Sequence, residues 1–377
     1  MLERLSINLT HLCNLDCAYC YALGGDYGGY SGDARVAEVE ARITDVALLN
    51  PNIKSVQFFG GEPLLRFDLV DGFTAHIDKL VHEGAIAAPP RYSVVTNLTL
   101  LDDARIEIMK RHDMSVVVSL DGPPEVNDAT RPYKGGRVST ARVLENLAKL
   151  RDHGITFDIE CTFSKLHWAK GYSALSTFLY IAELGPSLVK MTNVTHPDPE
   201  IGFNTREDIA RVLDENLTLL DYALEALTEK GRLVPLGFLT ELINALQARA
   251  DATPQSGGCG GGGGSYCNAG TGNIAISADA KIYPCHMFTA NRAFEMEIAG
   301  GAVTRQPKMA SKRDHAACTS CWASSWCVAC PGAMEFRRPG HSGPSAIHCG
   351  LMRGGLEHVF AALADQDASA PRLTVSG

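Results

Sequence analysis

The sequence predicts an α/β fold in two parts: six strand–helix units arranged as an incomplete or complete barrel, then a small cysteine-rich domain. Three observations predict it. Short apolar runs alternate with helical patterns of about 10–15 residues through positions 4–195, which indicates βα units and parallel pairing. Polar residues or glycines close successive strands at Asn8–Thr10, Gly60–Pro63, Thr96–Asn97 and Ser119–Gly122, the edge where a parallel barrel binds its ligand. Eight of the twelve cysteines fall after residue 250, where composition shifts to Gly, Ser and Cys.

Residues 4–10 (RLSINLT) form the first strand, and 55–59 (SVQFF) the second, stopped by Gly60 and Gly61. Residues 92–97, 115–120, 155–163 and 187–195 supply four more. Helices are expected over 36–49, 68–83, 102–112, 138–153 and 171–184, and longer amphipathic ones over 206–230 and 238–250. The stretch GGCGGGGGSYCNAGTG cannot form a hydrophobic core. A closing helix follows at 350–366, and the last residues fray. The implied divisions are a barrel over 1–235, a helical linker over 236–254, a cysteine-rich domain over 255–350, and a helix with tail over 351–377.

Composition narrows the function. With 34 Lys+Arg against 43 Asp+Glu, the 377-residue chain carries a net charge of −9, so nucleic acid and anionic membrane are poor partners. Its apolar runs fall short of the roughly 18 residues of a membrane span. Residues 1–20 lack a basic segment followed by an apolar one, so no signal peptide is readable and a cytoplasmic location is expected. In a reducing compartment, clustered thiols hold metals more often than they form disulfides.

Cys13, Cys17 and Cys20 are spaced C-x3-C-x2-C directly after the first strand. A structural zinc site is normally closed by a fourth Cys or His. His11 is near in sequence but would make a cramped chelate. A four-iron cluster with three protein thiolates leaves one iron open and fits the spacing and placement better.

This motif, with Tyr19 before its last cysteine, resembles the cluster loop of radical S-adenosylmethionine (SAM) enzymes, which have a partial (β/α)6 TIM-like barrel. The resemblance implies a [4Fe–4S] cluster on Cys13, Cys17 and Cys20, whose open iron chelates SAM and cleaves it to a 5′-deoxyadenosyl radical. It implies cosubstrate contacts from Tyr19, Gly60, Gly61, Glu62 and Pro63, with Asn97, Ser119 and Asp121 at the next strand ends. The usual glycine after Asn97 is Leu98 here. On strand five, period two turns Asp158, Glu160 and Thr162 into the barrel and Ile159, Cys161 and Phe163 toward the helices. Glu160 is a candidate for ribose or substrate contact, against a buried structural role; Cys161 packs.

The eight later cysteines are Cys259, Cys267, Cys285, Cys318, Cys321, Cys327, Cys330 and Cys349. Their spacing suits zinc or iron–sulfur and does not choose between them. The pattern resembles the SPASM extension of peptide-modifying radical SAM enzymes, which holds two auxiliary [4Fe–4S] clusters. By position, Cys259, Cys267, Cys285 and Cys330 would bind one, and Cys318, Cys321, Cys327 and Cys349 the other. Two positions depart from that pattern: Cys327 and Cys330 are C-x2-C where C-x3-C is usual, and Ala280 replaces a glycine. Further likeness in Asp121-Gly-Pro-Pro, Asn127-Asp-Ala-Thr-Arg131-Pro and Tyr283-Pro-Cys285-His286 points to the branch that installs thioether crosslinks in ribosomally made precursor peptides. His286 stands where sulfatase-maturing enzymes have Asp, and reads as a local hydrogen-bonding residue. The other readings are formylglycine formation from Cys or Ser, a carbon–carbon or ether crosslink, and a zinc-binding module. The chain begins at strand one, so leader recognition falls to the barrel mouth, the second domain, an exposed edge or a separate protein. Flavodoxin or ferredoxin would be the electron donor.

Overall fold

The computed structural model describes residues 2–250, 264–337 and 343–364. Six strands alternate with helices: β1 Arg4–Thr10, α1 Val36–Leu49, β2 Ser55–Gly60, α2 Val70–His82, β3 Arg91–Thr96, α3 Asp103–Arg111, β4 Ser115–Ser119, α4 Pro124–Thr130, α5 Thr140–Asp152, β5 Phe157–Phe163, α6 Lys165–Ala169, α7 Ala174–Glu183 and β6 Val189–Asn193. Each strand pairs in parallel with its sequence neighbour. This is the partial (β/α)6 barrel.

Period two sets the core. In β1, Leu5, Ile7 and Leu9 are fully buried, and so are Val39, Ile43 and Val46, the inward stripe of α1. In α2, Val70, Phe73, Ile77 and Leu80 repeat at helical spacing on the buried side. Burying each such side chain is worth about 1.5–3 kcal/mol. The alternate β1 residues, Ser6, Asn8 and Thr10, are polar and also buried, so the inward face of the barrel is hydrophilic.

After β6 come α8 Arg206–Lys230 and α9 Gly237–Ala250. Thr205 and Asp208 form a capping box at the start of α8, and Gly231 ends it in the left-handed region. The cysteine-rich part contains β7 Asn273–Ile276, β8 Ile282–Tyr283, β9 Glu297–Ala299, β10 Ala302–Arg305, α10 Ala316–Thr319, α11 Pro331–Arg337 and α12 Ala346–Ala364. Helix α12 packs on α8 and α9 through glycines. A Cβ on Gly350 would stand 2.7 Å from Leu213, and one on Gly355 2.8 Å from Phe238.

The sequence reading places no strand at 273–283, yet these residues extend the barrel sheet, whose order is β6-β5-β4-β3-β2-β1-β7-β8. β7 runs parallel to β1, from Arg4 opposite Asn273 to Ile7 opposite Ile276, and β8 turns back antiparallel. Ile274 and Ile276 join the main core. The extension therefore covers the β1 edge of the barrel. No helix among the described residues is long and apolar enough to cross a membrane.

Candidate active site at the strand ends

The loop after β1 carries Cys13, Cys17 and Cys20, all half-buried free thiols. It is fixed by backbone bonds on two sides. Asp16 N–H donates to Pro132 O (2.9 Å) and Ala18 N–H to Thr130 O (2.9 Å). On the other side Gly61 N–H donates to Thr10 O (2.9 Å) and Glu62 N–H to Leu12 O (2.8 Å). The two glycines are expected to admit a ligand; what the structure brings against them is the loop itself. A Cβ on Gly60 would fall 2.2 Å from Thr10 O, and one on Gly61 2.2 Å from Leu12 O. No side chain fits there.

The carboxylate of Glu62 is almost fully buried. It accepts from Thr96 Oγ1 (2.6 Å), Asn97 N–H (2.8 Å) and Leu64 N–H (2.9 Å). Its side chain thus ties the ends of β2 and β3 together. Burial outweighs these three donors and pushes its pKa up to about 7. Pro63 is buried as the first residue of the short helical turn that Glu62 caps. Asn97 turns its side chain to Asn14 (3.0 Å) and to Thr99.

Asp121 is held in a similar way. It is completely buried and 3.0 Å from Arg131 Nε. Tyr19 Oη donates to it at 2.5 Å and Thr162 N–H at 2.9 Å. The Arg131 guanidinium lies 5.4 Å from the Tyr19 ring centroid. With Arg131 and Tyr19, buried Asp121 forms the floor beneath the cysteine loop. Asn127 completes this floor, accepting from Asp121 N–H (3.0 Å). The segment Asn127–Pro132 thus supports the loop. By contrast, Ser119 and Glu160 are paired in register and half-buried on the inward face, with Lys190 3.8 Å from Glu160.

His11 is not a fourth metal ligand. Its Nδ1 bonds Tyr30 O (2.8 Å), so it donates, and its Nε2 accepts from Ala278 N–H (3.2 Å). Both nitrogens are taken, and the ring pins the extension to the barrel. Among the described residues no three His, Cys, Asp or Glu side chains gather closely enough for a single metal ion. Burial pushes the Cys13 and Cys17 thiols up to about 12. Bare, they stay protonated at neutral pH; a cationic centre restores the thiolates.

The extension reaches the same region. The His286 ring lies 4.5 Å from that of Phe59 and 6.4 Å from that of Tyr21. Burial, with smaller contributions from Lys190 and Arg4, lowers its pKa to about 4, so it is neutral at pH 7. Its neighbour Cys285 lies within electrostatic reach of Cys267 and Cys330. Cys318, Cys321, Cys327 and Cys349 form a second such group. Cys259 lies outside the described residues. Cys161 is buried in the core. A cavity of about 640 Å³ separates β6 from the extension, lined by Lys190, Thr192, His196, Cys330 and His348 among others.

The sequence profile of the Radical SAM superfamily matches residues 7–164. Residues 7–164 are a radical SAM domain. Uncharacterized protein MJ0907 of Methanocaldococcus jannaschii is 34% identical over 158 residues, covering 42% of this chain and 52% of that protein. A serine-type anaerobic sulfatase-maturating enzyme of Bacteroides thetaiotaomicron is 29% identical over 151 residues, covering 39% and 36%. The chain thus spans about half or less of these two curated relatives. The fold of anSMEcpe, solved with bound AdoMet and the Cp18Cys peptide, superposes with a TM-score of 0.73 at 18% identity, over 96% of this chain and 98% of that one. The common fold includes the cysteine-rich extension.

Sequence reasoning passes over Tyr266, Lys312 and His348 near the later thiols, and over the double engagement of His11. The signal available was adjacency, since Tyr266 precedes Cys267 and His348 precedes Cys349.

Proposed function

We propose that this chain is a radical SAM oxidoreductase that takes hydrogen from a side chain of a peptide or protein. One observation carries the reading: three thiols stand at the carboxyl end of β1 with both nitrogens of the nearby histidine already used. That set fits a [4Fe–4S] cluster, which Cys13, Cys17 and Cys20 would hold. With SAM bound, it supplies a 5′-deoxyadenosyl radical. The residues of the chain do the rest. Gly60, Gly61 and the Asp121–Arg131–Tyr19 floor hold the loop in place. Phe59, Tyr21 and neutral His286 line the interior and keep water from the reacting carbon. Ser119, Glu160 and Lys190 offer inward polar groups that orient cosubstrate and substrate. Cys259, Cys267, Cys285 and Cys330, and separately Cys318, Cys321, Cys327 and Cys349, would hold two auxiliary [4Fe–4S] clusters.

A peptide substrate is supported by the cavity beside β6, whose volume suits a ligand of several residues, and by the likeness to anSMEcpe in its peptide-bound form. Likeness to a sulfatase-maturating enzyme favours oxidation of Cys or Ser to formylglycine over the thioether crosslink suggested by the motifs. The test is anaerobic reconstitution, reduction with dithionite and incubation with SAM. The expected products are 5′-deoxyadenosine and, with a Cys- or Ser-containing peptide, an aldehyde that traps with a hydrazine reagent. A peptide that loses two hydrogens and does not trap would favour the crosslink. No 5′-deoxyadenosine from protein with full iron would end the proposal.

A further inference from the structure

The thiols of the extension differ in what their sulfurs accept. Cys267 accepts from Ala269 N–H and Cys330 from Ala333 N–H, both at 3.4 Å. These are backbone donors supplied by local turns. In the second group, side chains from distant positions reach the sulfurs. Tyr266 Oη lies 3.2 Å from Cys318 Sγ, and His348 Nε2 lies 3.3 Å from Cys327 Sγ. Tyr266 is 1% exposed and packs with Ala329 and Met334 against Cys318 and Cys327. A phenol this deep must find a partner, and the sulfur is its partner here. Lys312, also buried, is anchored by Ser324 O at 2.7 Å and places its ammonium within electrostatic reach of Cys327.

We infer that Tyr266 and His348 are positioning residues that donate hydrogen bonds to the Cys318 and Cys327 sulfurs and so raise the reduction potential of the centre held by Cys318, Cys321, Cys327 and Cys349. An iron–sulfur centre gains negative charge on reduction, and that charge spreads onto its thiolate sulfurs. Donors aimed at those sulfurs stabilise the reduced state more than the oxidised one. Lys312 acts in the same direction through its charge. The inference rests on the iron–sulfur reading of the extension.

The test is an EPR-monitored redox titration of the reconstituted full chain without peptide. In Tyr266→Phe, which removes only the oxygen, and in His348→Phe, the midpoint of one auxiliary signal falls. Iron and sulfide content and the other midpoints hold. His348→Gln, which keeps an N–H donor, recovers most of the loss. Unmoved midpoints in both phenylalanine variants at full iron content overturn the inference. So does loss of iron from both, because a bond that tunes a centre leaves its ligation intact. Iron content that fails to drop in Cys318→Ala overturns the cluster reading beneath it, before any potential is measured.

Discussion

Leu98 and Ala280 hold left-handed backbone, with φ of 61° and 62°. Neither is a glycine, so the turns persist at a cost of about 1–2 kcal/mol each. The consequence differs between them. Ala280 is half-buried in the turn joining β7 to β8, where its N–H donates to Ser277 O at 2.9 Å. Ala280→Gly is expected to stabilise the protein by about 0.5–1 kcal/mol, read as a shift in denaturant midpoint. Leu98 is fully buried in the core. Leu98→Gly relieves the same strain but removes a core side chain worth about 2–5 kcal/mol, so it destabilises. Glu62 gives a pH prediction. Its folded pKa of about 7 lies above the ordinary value of 4.5, so its contribution is fully present below pH 4.5 and is lost as pH rises through 7. The loss reaches about 3 kcal/mol. Glu62→Gln should remove that slope between pH 4.5 and 7; an unchanged slope would show that other groups set it.

At the scale of elements, the contact between β2 and the cysteine loop is backbone against backbone. Gly61→Ala puts a methyl 2.2 Å from Leu12 O, so the loop must shift and the three thiols with it. The expected outcome is a drop in iron bound by the first domain and a loss of about 1–3 kcal/mol from overpacking. Iron analysis on a variant whose later cysteines are replaced checks it. The first strand and its helix were legible to the residue, because alternation in RLSINLT and the 3.6 period over 36–49 are strong local signals. Strand β7 was not legible. Its four residues Asn273–Ile276 follow a glycine-rich stretch, and their strand state comes from pairing with β1, a partner some 270 positions away. The site divides in the same way. Thiol spacing is local and readable, whereas the three-donor engagement of Glu62 and the burial of Asp121 under Arg131 arise from tertiary contacts. Motif order located those residues but carried no information on what else their side chains touch.

For the whole molecule, barrel and extension share one sheet. Removing residues 251–377 would expose the β1 edge and strip Ile274 and Ile276 from the core, and α12 from α8 and α9. The truncated barrel should aggregate or lose its cooperative transition, seen by size exclusion and thermal melting. A monodisperse, cooperatively melting fragment would show that the β7–β8 hairpin is dispensable. The bond from Ala278 N–H to His11 adds a second tie, between the extension and the residue just ahead of Cys13 by two positions.

That shared sheet bears on any attempt to exchange extensions between relatives. A splice made in the glycine-rich stretch after α9 would import a foreign seventh strand against the native first one, with a new register to satisfy. A graft joined after Tyr283 keeps the home hairpin and the Ala278 contact, and carries over only the later thiols. A join on the far side of that turn therefore leaves the sheet of the barrel intact.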